Sequence, residues 1–216
     1  MRHSLLALVL VFSSCSAIAG GANVADVPRK AIQYKASLIR NARAIAGLNA
    51  PVAMFAGQLT QESAWNPEAV SKVGARGMAQ FMPATATWWC ERTHVTVEQC
   101  QPSNPSWAIR NLVAYDLWLS QRVRAANVCQ QWAFALSAFN GGLAWVYRDQ
   151  KLASGKGLDS LVWFGQVELV NAGRSPANWT ENRAYPRRIL YRYEAQFIAA
   201  GWGDGACHSH KQGDPT

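Results

Sequence analysis

The sequence has almost no segment in which apolar and polar residues alternate, and it contains neither internal repeats nor low-complexity regions. A half-buried strand needs that alternation, so its absence argues against a domain built on β-sheets. Apolar residues make up 50% of the 216 residues, which is enough for one sizeable core. The chain is therefore predicted to fold as a single, mainly α domain.

Cysteine and histidine are also scarce, with five and four residues respectively. No two cysteines have the close paired spacing, with histidines nearby, that zinc sites use. His208 and His210 are a remaining candidate pair, but paired histidines in an exposed tail are usually inert. The sequence therefore predicts no metal site and no cofactor.

The N terminus carries a short apolar run over residues 5–12, which follows Arg2 and precedes the small-x-small pattern Ala17-Ile18-Ala19. This arrangement is typical of a secretory signal peptide, here residues 1–19, and predicts a periplasmic protein. Because the run is too short to span a bilayer, the mature chain is predicted to lack a transmembrane segment. An alternative interpretation makes Cys15 the lipidated residue of a lipoprotein.

Removal of the signal peptide leaves four cysteines, Cys90, Cys100, Cys129 and Cys207. An even number in an oxidising compartment predicts two disulfides, for which three connectivities exist. Pairing Cys90 with Cys100 is favoured because it closes a short local loop. The other bond, between Cys129 and Cys207, would then hold the C-terminal segment.

Positive charge is in excess, and the formal net charge of +8 becomes +7 when Arg2 leaves with the signal peptide. Outside the cytoplasm, this balance favours an anionic polymer as partner and argues against nucleic acid.

The mature chain divides into a linker (20–28), one helical domain (29–202) and a flexible tail (203–216). Residues 66–83 are rich in small and turn residues and are predicted to form a short loop or ribbon. The predicted helices cover residues 29–47, 51–63, 104–124, 132–139, 158–170 and 186–200, with a further turn at 143–148.

Glu62 ends the apolar stripe of the second predicted helix. Val52, Phe55, Ala56, Leu59 and Glu62 recur at helical steps, whereas Gln58 and Gln61 fall elsewhere. Desolvation of a carboxyl at the rim of a core raises its pKa, which suits a general acid near neutral pH. The alternative is a structural glutamate that is satisfied by an arginine or by backbone amides.

Three separated blocks extend this pattern, namely residues 62–86, 138–142 and 181–186. In this order they resemble the motifs of the soluble-lytic-transglycosylase type of peptidoglycan lyase, whose catalytic domain looks like a lysozyme. The likeness runs from about residue 29 to residue 201. It implies a lysozyme-like helical domain with the short loop or ribbon after the catalytic helix.

By this resemblance, Glu62 is the sole catalytic acid and base. The other positions that match substrate-contacting or cleft-forming residues of the family are Ser71, Gln80, Met82, Asn140, Glu181 and Tyr185. Each also has a structural interpretation, such as capping a turn, satisfying loop backbone or ending a helix. The family usually has tyrosine where Phe139 stands, so a hydroxyl expected near the acid is missing. The family more commonly has a leucine followed by a bulky residue at the two positions before Gln80, where this sequence has Met78 and Ala79.

The resemblance implies non-hydrolytic cleavage of the bond between N-acetylmuramic acid (MurNAc) and N-acetylglucosamine (GlcNAc), which leaves 1,6-anhydroMurNAc ends. A hydrolytic muramidase is the alternative enzyme, and it needs a second carboxylate. Asp116, Glu168 and Glu181 are the remote candidates for that role. A further alternative is a non-catalytic peptidoglycan-binding module.

The implied partner is the glycan strand of peptidoglycan. Small exported members of the family often serve conjugation, secretion or pilus systems, and the chain resembles them in size and in lacking an extra binding domain.

Overall fold

The computed structural model describes residues 27–208. The predicted signal peptide with Cys15, the linker up to residue 26, and the tail from residue 209 with His210 lie outside the described residues. Within residues 27–208 the regular structure is helical, with no extended strand, so the predicted mainly α class is confirmed. The helices are α1 (Arg29–Ile32), α2 (Lys35–Ala46), α3 (Val52–Ser63), α4 (Pro83–Arg92), α5 (Pro105–Ser120), α6 (Val128–Gly141), α7 (Leu143–Gly155), α8 (Pro176–Arg187) and α9 (Glu194–Ala199).

Helix α3 is the centre of the domain. Every residue from Val52 to Leu59 is buried, so the predicted single apolar stripe is wrong for its first two turns, and Gln58 lies in the core. The helix packs against α2, α9 and a π-helical segment, Arg188–Tyr193. A Cβ atom at Gly57 would lie 2.9 Å from Cβ of Tyr193, so glycine allows this close approach.

The remaining helices pack on one another around the same core. Helix α5 packs against α2 and α6, and α6 also packs against α7 and α8. Large side chains fill the space between them, and the largest fully buried ones are Trp65, Trp163, Phe55, Phe134 and Phe197.

The predicted first helix is broken into α1 and α2 by a turn. Ile32 of α1 is 63% exposed, whereas Leu38 and Ala42 of α2 are fully buried. Tyr34, within the turn, stacks on the buried Trp65, with 6.1 Å between the ring centroids. This contact sets which face of α2 meets the core.

Residues 158–170 were predicted to be helical but form an irregular segment that ends in a single 3-10 turn, Val167–Leu169. Gly157 and Gly165 both have positive φ angles, which interrupt a helix. Oε1 of Gln130 accepts hydrogen bonds from the backbone N–H groups of Trp163 and Phe164, which holds the segment in place. Its apolar residues therefore fill the core without helical periodicity.

Pro186 does not open the last helix as predicted, because it lies within α8. A proline inside a helix removes a backbone donor, and the chain changes to π-helical geometry directly afterwards, from Arg188 to Tyr193. Helices α6 and α7 are longer than predicted. Helix α4 was not predicted, although Pro83 occupies its first turn.

Two disulfides join Cys90 to Cys100 and Cys129 to Cys207, the pairing that was favoured from the sequence. Residues 203–208 are packed on the domain, because the carboxylate of Glu194 accepts hydrogen bonds from the backbone N–H groups of Ala206, Cys207 and His208. The tail boundary predicted at residue 203 is therefore too early. Within the described range, every helix is too short or too polar to cross a membrane.

Candidate active site

Glu62 lies in the last turn of α3, where the helix leaves the core. Ala64 and Trp65 follow with φ angles of 49° and 65°, which reverse the chain, and the indole of Trp65 is fully buried. The indole N–H donates to Oγ1 of Thr60 at 2.8 Å and closes the turn. Trp65 thus anchors the end of the helix and holds Glu62 at the surface of the core.

Glu62 lines a groove of about 340 Å³, which we call the catalytic groove. All the other residues predicted for substrate contact line the same groove, namely Ser71, Gln80, Met82, Asn140, Glu181 and Tyr185. They come from α3, the segment after it, α6 and α8. The fold therefore brings together three blocks that are far apart in sequence.

The carboxyl of Glu62 is part-buried, and the hydroxyl of Tyr185 donates a hydrogen bond to its Oε1. Burial raises the pKa of Glu62 from 4.5 to about 8, the hydrogen bond from Tyr185 opposes that rise, and the negative charge of Glu181 adds to it. At neutral pH this carboxyl carries its proton. It has the protonation state that a general acid needs.

Tyr185 is buried and belongs to α8. Burial, the neighbouring charge of Glu62 and the hydrogen bond between them raise the pKa of its phenol well above 10. The hydroxyl therefore keeps its proton and remains a donor over the whole physiological range.

Gln58 and Asp116 form a second polar pair behind Glu62. Both are fully buried, and Nε2 of Gln58 donates to Oδ1 of Asp116 at 3.4 Å. Burial, reinforced by the charge of Glu62, raises the pKa of Asp116 well above its usual value, and the Gln58 hydrogen bond only partly opposes this. The raised pKa favours the neutral form of Asp116, and Asp116 does not line the groove, so both observations argue against it as the second carboxylate of a hydrolase.

The two remaining acidic candidates differ. Glu168 lies outside the catalytic groove, where it accepts hydrogen bonds from Nε of Arg187 and from the backbone N–H of Gly165. Glu181 lines the groove, is exposed, and accepts a hydrogen bond from Nδ2 of Asn140 at 3.4 Å. Of the remote candidates, Glu181 is the charged carboxylate beside Glu62.

Ser71 and Gln80 hold the ribbon that forms one wall of the groove. Oγ of Ser71 accepts from the N–H of Ala75 at 2.9 Å, and Nε2 of Gln80 donates to the carbonyls of Ala69 and Gly77. Isolated antiparallel bridges join Val70 to Arg76 and Arg76 to Phe81 within this ribbon. Both side chains thus have the structural contacts that the alternative interpretation expected, while also facing the groove. Met82 is 41% exposed at its edge.

A cluster of aromatic rings also lines the groove and was not predicted from the sequence. Phe139, at the position where a tyrosine was expected, packs 5.7 Å from the rings of Phe81 and Tyr115. Burial, with the charge of Asp116, raises the pKa of Tyr115 to about 12, so its hydroxyl is neutral. The hydroxyl that contacts the acid comes from Tyr185 instead.

Within residues 27–208, no group of three or more His, Cys, Asp or Glu side chains is arranged to hold a metal ion. His208 lies against Glu194, with Nδ1 at 3.0 Å from Oε1.

The helical fold and the buried, protonated carboxyl in an open groove define a lysozyme-like domain. The sequence model of the family described as "Transglycosylase SLT domain" matches residues 39–161, more than half of the chain. The chain belongs to this family, which confirms the resemblance seen in its motifs.

Individual relatives agree with this assignment. "Membrane-bound lytic murein transglycosylase F" of Maricaulis maris (strain MCS10) is 31% identical over 132 residues, covering 60% of this chain and 27% of that protein. The 70-kDa soluble lytic transglycosylase of Escherichia coli has a similar fold, with a TM-score of 0.57 and 22% identity over 82% of this chain and 26% of that chain. An inactive variant of lytic transglycosylase Slt from Pseudomonas aeruginosa also has a similar fold, with a TM-score of 0.57. It is 21% identical, and the match covers 84% of this chain and 26% of that chain. The chain spans about a quarter of the length of each relative.

Proposed function

We propose that the chain is a peptidoglycan lytic transglycosylase that cleaves the β-1,4 bond between MurNAc and GlcNAc without water. The observation that carries this proposal is the protonated carboxyl of Glu62, with a pKa of about 8, in the wall of an open groove. The family membership and the names of the relatives support the same reaction.

In the first step, Glu62 donates its proton to the glycosidic oxygen, and the bond from that oxygen to the muramyl anomeric carbon breaks. The carboxylate then removes the proton from the muramyl 6-hydroxyl, whose oxygen bonds to the anomeric carbon. The acid is restored, no water is consumed, and the product carries a 1,6-anhydro ring. Attack from within the same sugar has the advantage of a reactant that is already held in place.

Tyr185 orients the Glu62 carboxyl through its hydrogen bond. Ser71, Gln80, Met82, Asn140 and Glu181 are proposed to contact or position the sugar, because they line the same groove.

Hydrolysis by a muramidase is the second candidate, and one observation favours it. Glu181 is a charged carboxylate that lines the groove with Glu62, and an inverting or retaining hydrolase needs such a partner.

The test is mass spectrometry of fragments released from purified sacculi. We expect anhydro ends, each one water lighter than the reducing ends that hydrolysis leaves. Glu62→Gln should release no fragments while melting cooperatively, because the amide cannot donate and recover the proton. Glu68→Gln is the matched control, since Glu68 is exposed and lies outside the groove. Reducing ends would identify a muramidase, and binding without release would identify a non-catalytic module.

We further propose that residues 1–19 direct export and that the enzyme acts in the periplasm. The two disulfides support an oxidising compartment. Lipidation at Cys15 remains the alternative. Recruitment by a conjugation, secretion or pilus system is proposed from the resemblance to small exported members of the family.

A further inference from the structure

A second pocket of about 300 Å³ continues the catalytic groove, and we call it the side pocket. Asn140 and Glu181 line both spaces, while Trp145, Arg174 and Asn178 line the side pocket alone. A ligand that lies in the groove can therefore extend a substituent into the side pocket. Nothing in the proposed chemistry at Glu62 uses this space.

Arg174 is a guanidinium with unused donors in the wall of the side pocket. Its side chain is 3% exposed, and Nη1 contacts Oδ2 of Asp149. Its Nε and Nη2 atoms have no hydrogen-bond partner among the described residues. These two nitrogens form one edge of the guanidinium, the fork that binds both oxygens of a carboxylate. A buried charge with two unpaired donors is costly unless a ligand satisfies them.

The charges around Arg174 do not cancel. Asp149 is shared by two guanidinium groups, because Nη2 of Arg183 also contacts its Oδ2, at 2.9 Å. One carboxylate thus faces two cations. Arg148 adds a third positive group, since its guanidinium and that of Arg174 lie 4.7 Å and 5.2 Å from the ring centroid of Trp145. Glu181, which also lines the pocket, makes two carboxylates against these three cations, so the local balance still favours an anion.

The N terminus of α8 opens on the same pocket. Ser175 caps this twelve-residue helix by accepting from the N–H of Asn178, and both residues line the side pocket. The start of a helix carries partial positive charge, which adds to that of Arg174. Glu181 lies one turn further along the helix, so the anion is expected at the Arg174 end.

Gly141 keeps this end of the pocket open. A Cβ atom there would lie 3.5 Å from Nε of Arg174 and 2.7 Å from Nδ2 of Asn182. Any larger residue at this position would clash and would cover the unpaired donor.

We propose that the side pocket binds a carboxylate carried by the 3-substituent of muramic acid while the sugar occupies the catalytic groove. The inference rests on the proposed function. Two groups offer this chemistry, namely the acids of the stem peptide and the lactyl acid of a muramic acid without peptide. A strand of GlcNAc alone has neither.

The test is calorimetric binding to the Glu62→Gln protein, which prevents turnover. The probes are GlcNAc-MurNAc-tetrapeptide, GlcNAc-MurNAc without peptide, and chitotetraose. Asn178→Asp places a negative charge in the pocket, and it should not harm folding because an acid in the first turn suits the helix dipole. Ala177→Asp is the matched control, because this neighbouring residue is exposed and does not line the pocket.

We expect Asn178→Asp to weaken the binding of a muramyl probe that carries the recognised carboxylate by about tenfold, the effect of one opposing charge at close range. The affinity for chitotetraose should not change. Ala177→Asp should change neither. A loss confined to the tetrapeptide probe identifies the acids of the stem peptide, and a loss confined to GlcNAc-MurNAc without peptide identifies the lactyl acid, which the peptide bond removes in the other probe. A loss with both muramyl probes shows that the pocket accepts either carboxylate. Arg174→Gln should give the same discrimination if its melting temperature shows a folded protein.

The inference would be overturned if Asn178→Asp and Ala177→Asp lost muramyl affinity equally, or if Asn178→Asp lost as much affinity for chitotetraose as for the muramyl probes. So would unchanged muramyl binding by Asn178→Asp. Fragment release from sacculi by the unaltered protein is measured separately. If fragments are released but the probes do not discriminate, the side-pocket inference alone fails. If the probes discriminate but no fragments appear, the proposed reaction fails and the binding site stands.

Discussion

Tyr185 donates its hydroxyl hydrogen to Glu62 across 123 positions of sequence. The two residues belong to α8 and α3, so the packing of the domain sets their contact. The hydrogen bond favours the charged carboxylate and burial favours the neutral acid, and burial is the larger effect. The balance leaves a carboxyl whose pKa of about 8 lies near the pH at which it would work.

Replacing Tyr185 with phenylalanine should alter the pH dependence of cleavage. The acid must be protonated to start the reaction, so the wild-type rate should fall as pH rises through about 8. Tyr185→Phe removes an interaction that lowers the pKa of Glu62, so the fall should move to higher pH. The rate plateau should drop by roughly ten- to a hundredfold, because a hydrogen bond of about 1–3 kcal/mol no longer orients the carboxyl. Initial rates on sacculi across pH 5–10 would measure both effects.

Glu181→Gln is the matched control for this prediction. The charge of Glu181 raises the pKa of Glu62, so its removal should move the alkaline fall to lower pH. Shifts of both variants in the same direction would contradict the assignment of the fall to Glu62.

The sequence pattern predicted where Glu62 lies better than it predicted the helix that carries it. The apolar stripe from Val52 to Leu59 was read as one face, yet α3 is buried on all sides of those turns, and Gln58 is in the core. A stripe in sequence reports only the residues that are apolar. It cannot reveal that Gln58 donates a hydrogen bond to Asp116 on another helix.

The sequence around Asp116 carries the same kind of signal as that around Glu62. Asp116 falls between Ile109, Leu112 and Val113 on one side and Leu119 on the other, at the same helical steps, and all five residues are buried. Like Glu62, Asp116 is an acid at the apolar positions of a helix. What the sequence could not show is that the two faces meet behind the groove.

Helix boundaries were predicted least well where a proline or an apolar loop was involved. The sequence predicts a helix start at Pro186, but the chain continues through it into a π-helical segment in which Ile189 and Leu190 are buried. Residues 158–170 are apolar enough for a helix, yet two glycines and the side chain of Gln130 fix them as a loop. Tertiary contacts override the local preference in both places.

Glu62→Gln should be more stable than the unaltered protein at neutral pH. A carboxyl whose pKa rises from 4.5 to about 8 on folding holds more protons in the folded state, so stability falls as pH rises between these values. Glutamine does not titrate and escapes this loss. We expect a gain of roughly 2–3 kcal/mol at pH 7 that disappears near pH 4. Urea unfolding at several pH values measures it.

The control for the stability effect is Glu68→Gln, which makes the same substitution at an exposed glutamate. A Glu62→Gln protein less stable than the unaltered one at pH 7 would show that the carboxyl is ionised in the fold.

The pairing of Gln58 with Asp116 leads to the last prediction. Oε1 of Gln58 and Oδ2 of Asp116 have no partner among the described residues, although both are buried. A proton on Oδ2 would let Asp116 donate to Oε1 while Oδ1 accepts from Nε2, which satisfies both side chains. An asparagine has the same shape and the same donor and acceptor. Asp116→Asn should therefore melt like the unaltered protein at pH 5 and retain most of its cleavage rate.

At higher pH the melting temperatures of Asp116→Asn and the unaltered protein should diverge. The raised pKa of Asp116 means that the folded state holds a proton that the unfolded state releases above about pH 4, so this group lowers stability as pH rises. Asp116→Asn removes that decline and should melt at a higher temperature at pH 9. Asp116→Leu instead leaves the Gln58 amide unpaired and should lose about 1–3 kcal/mol at all pH values. If Asp116→Asn kept its melting temperature but lost turnover, Asp116 would act as an ionised group, and the muramidase mechanism with two carboxylates would replace the one proposed.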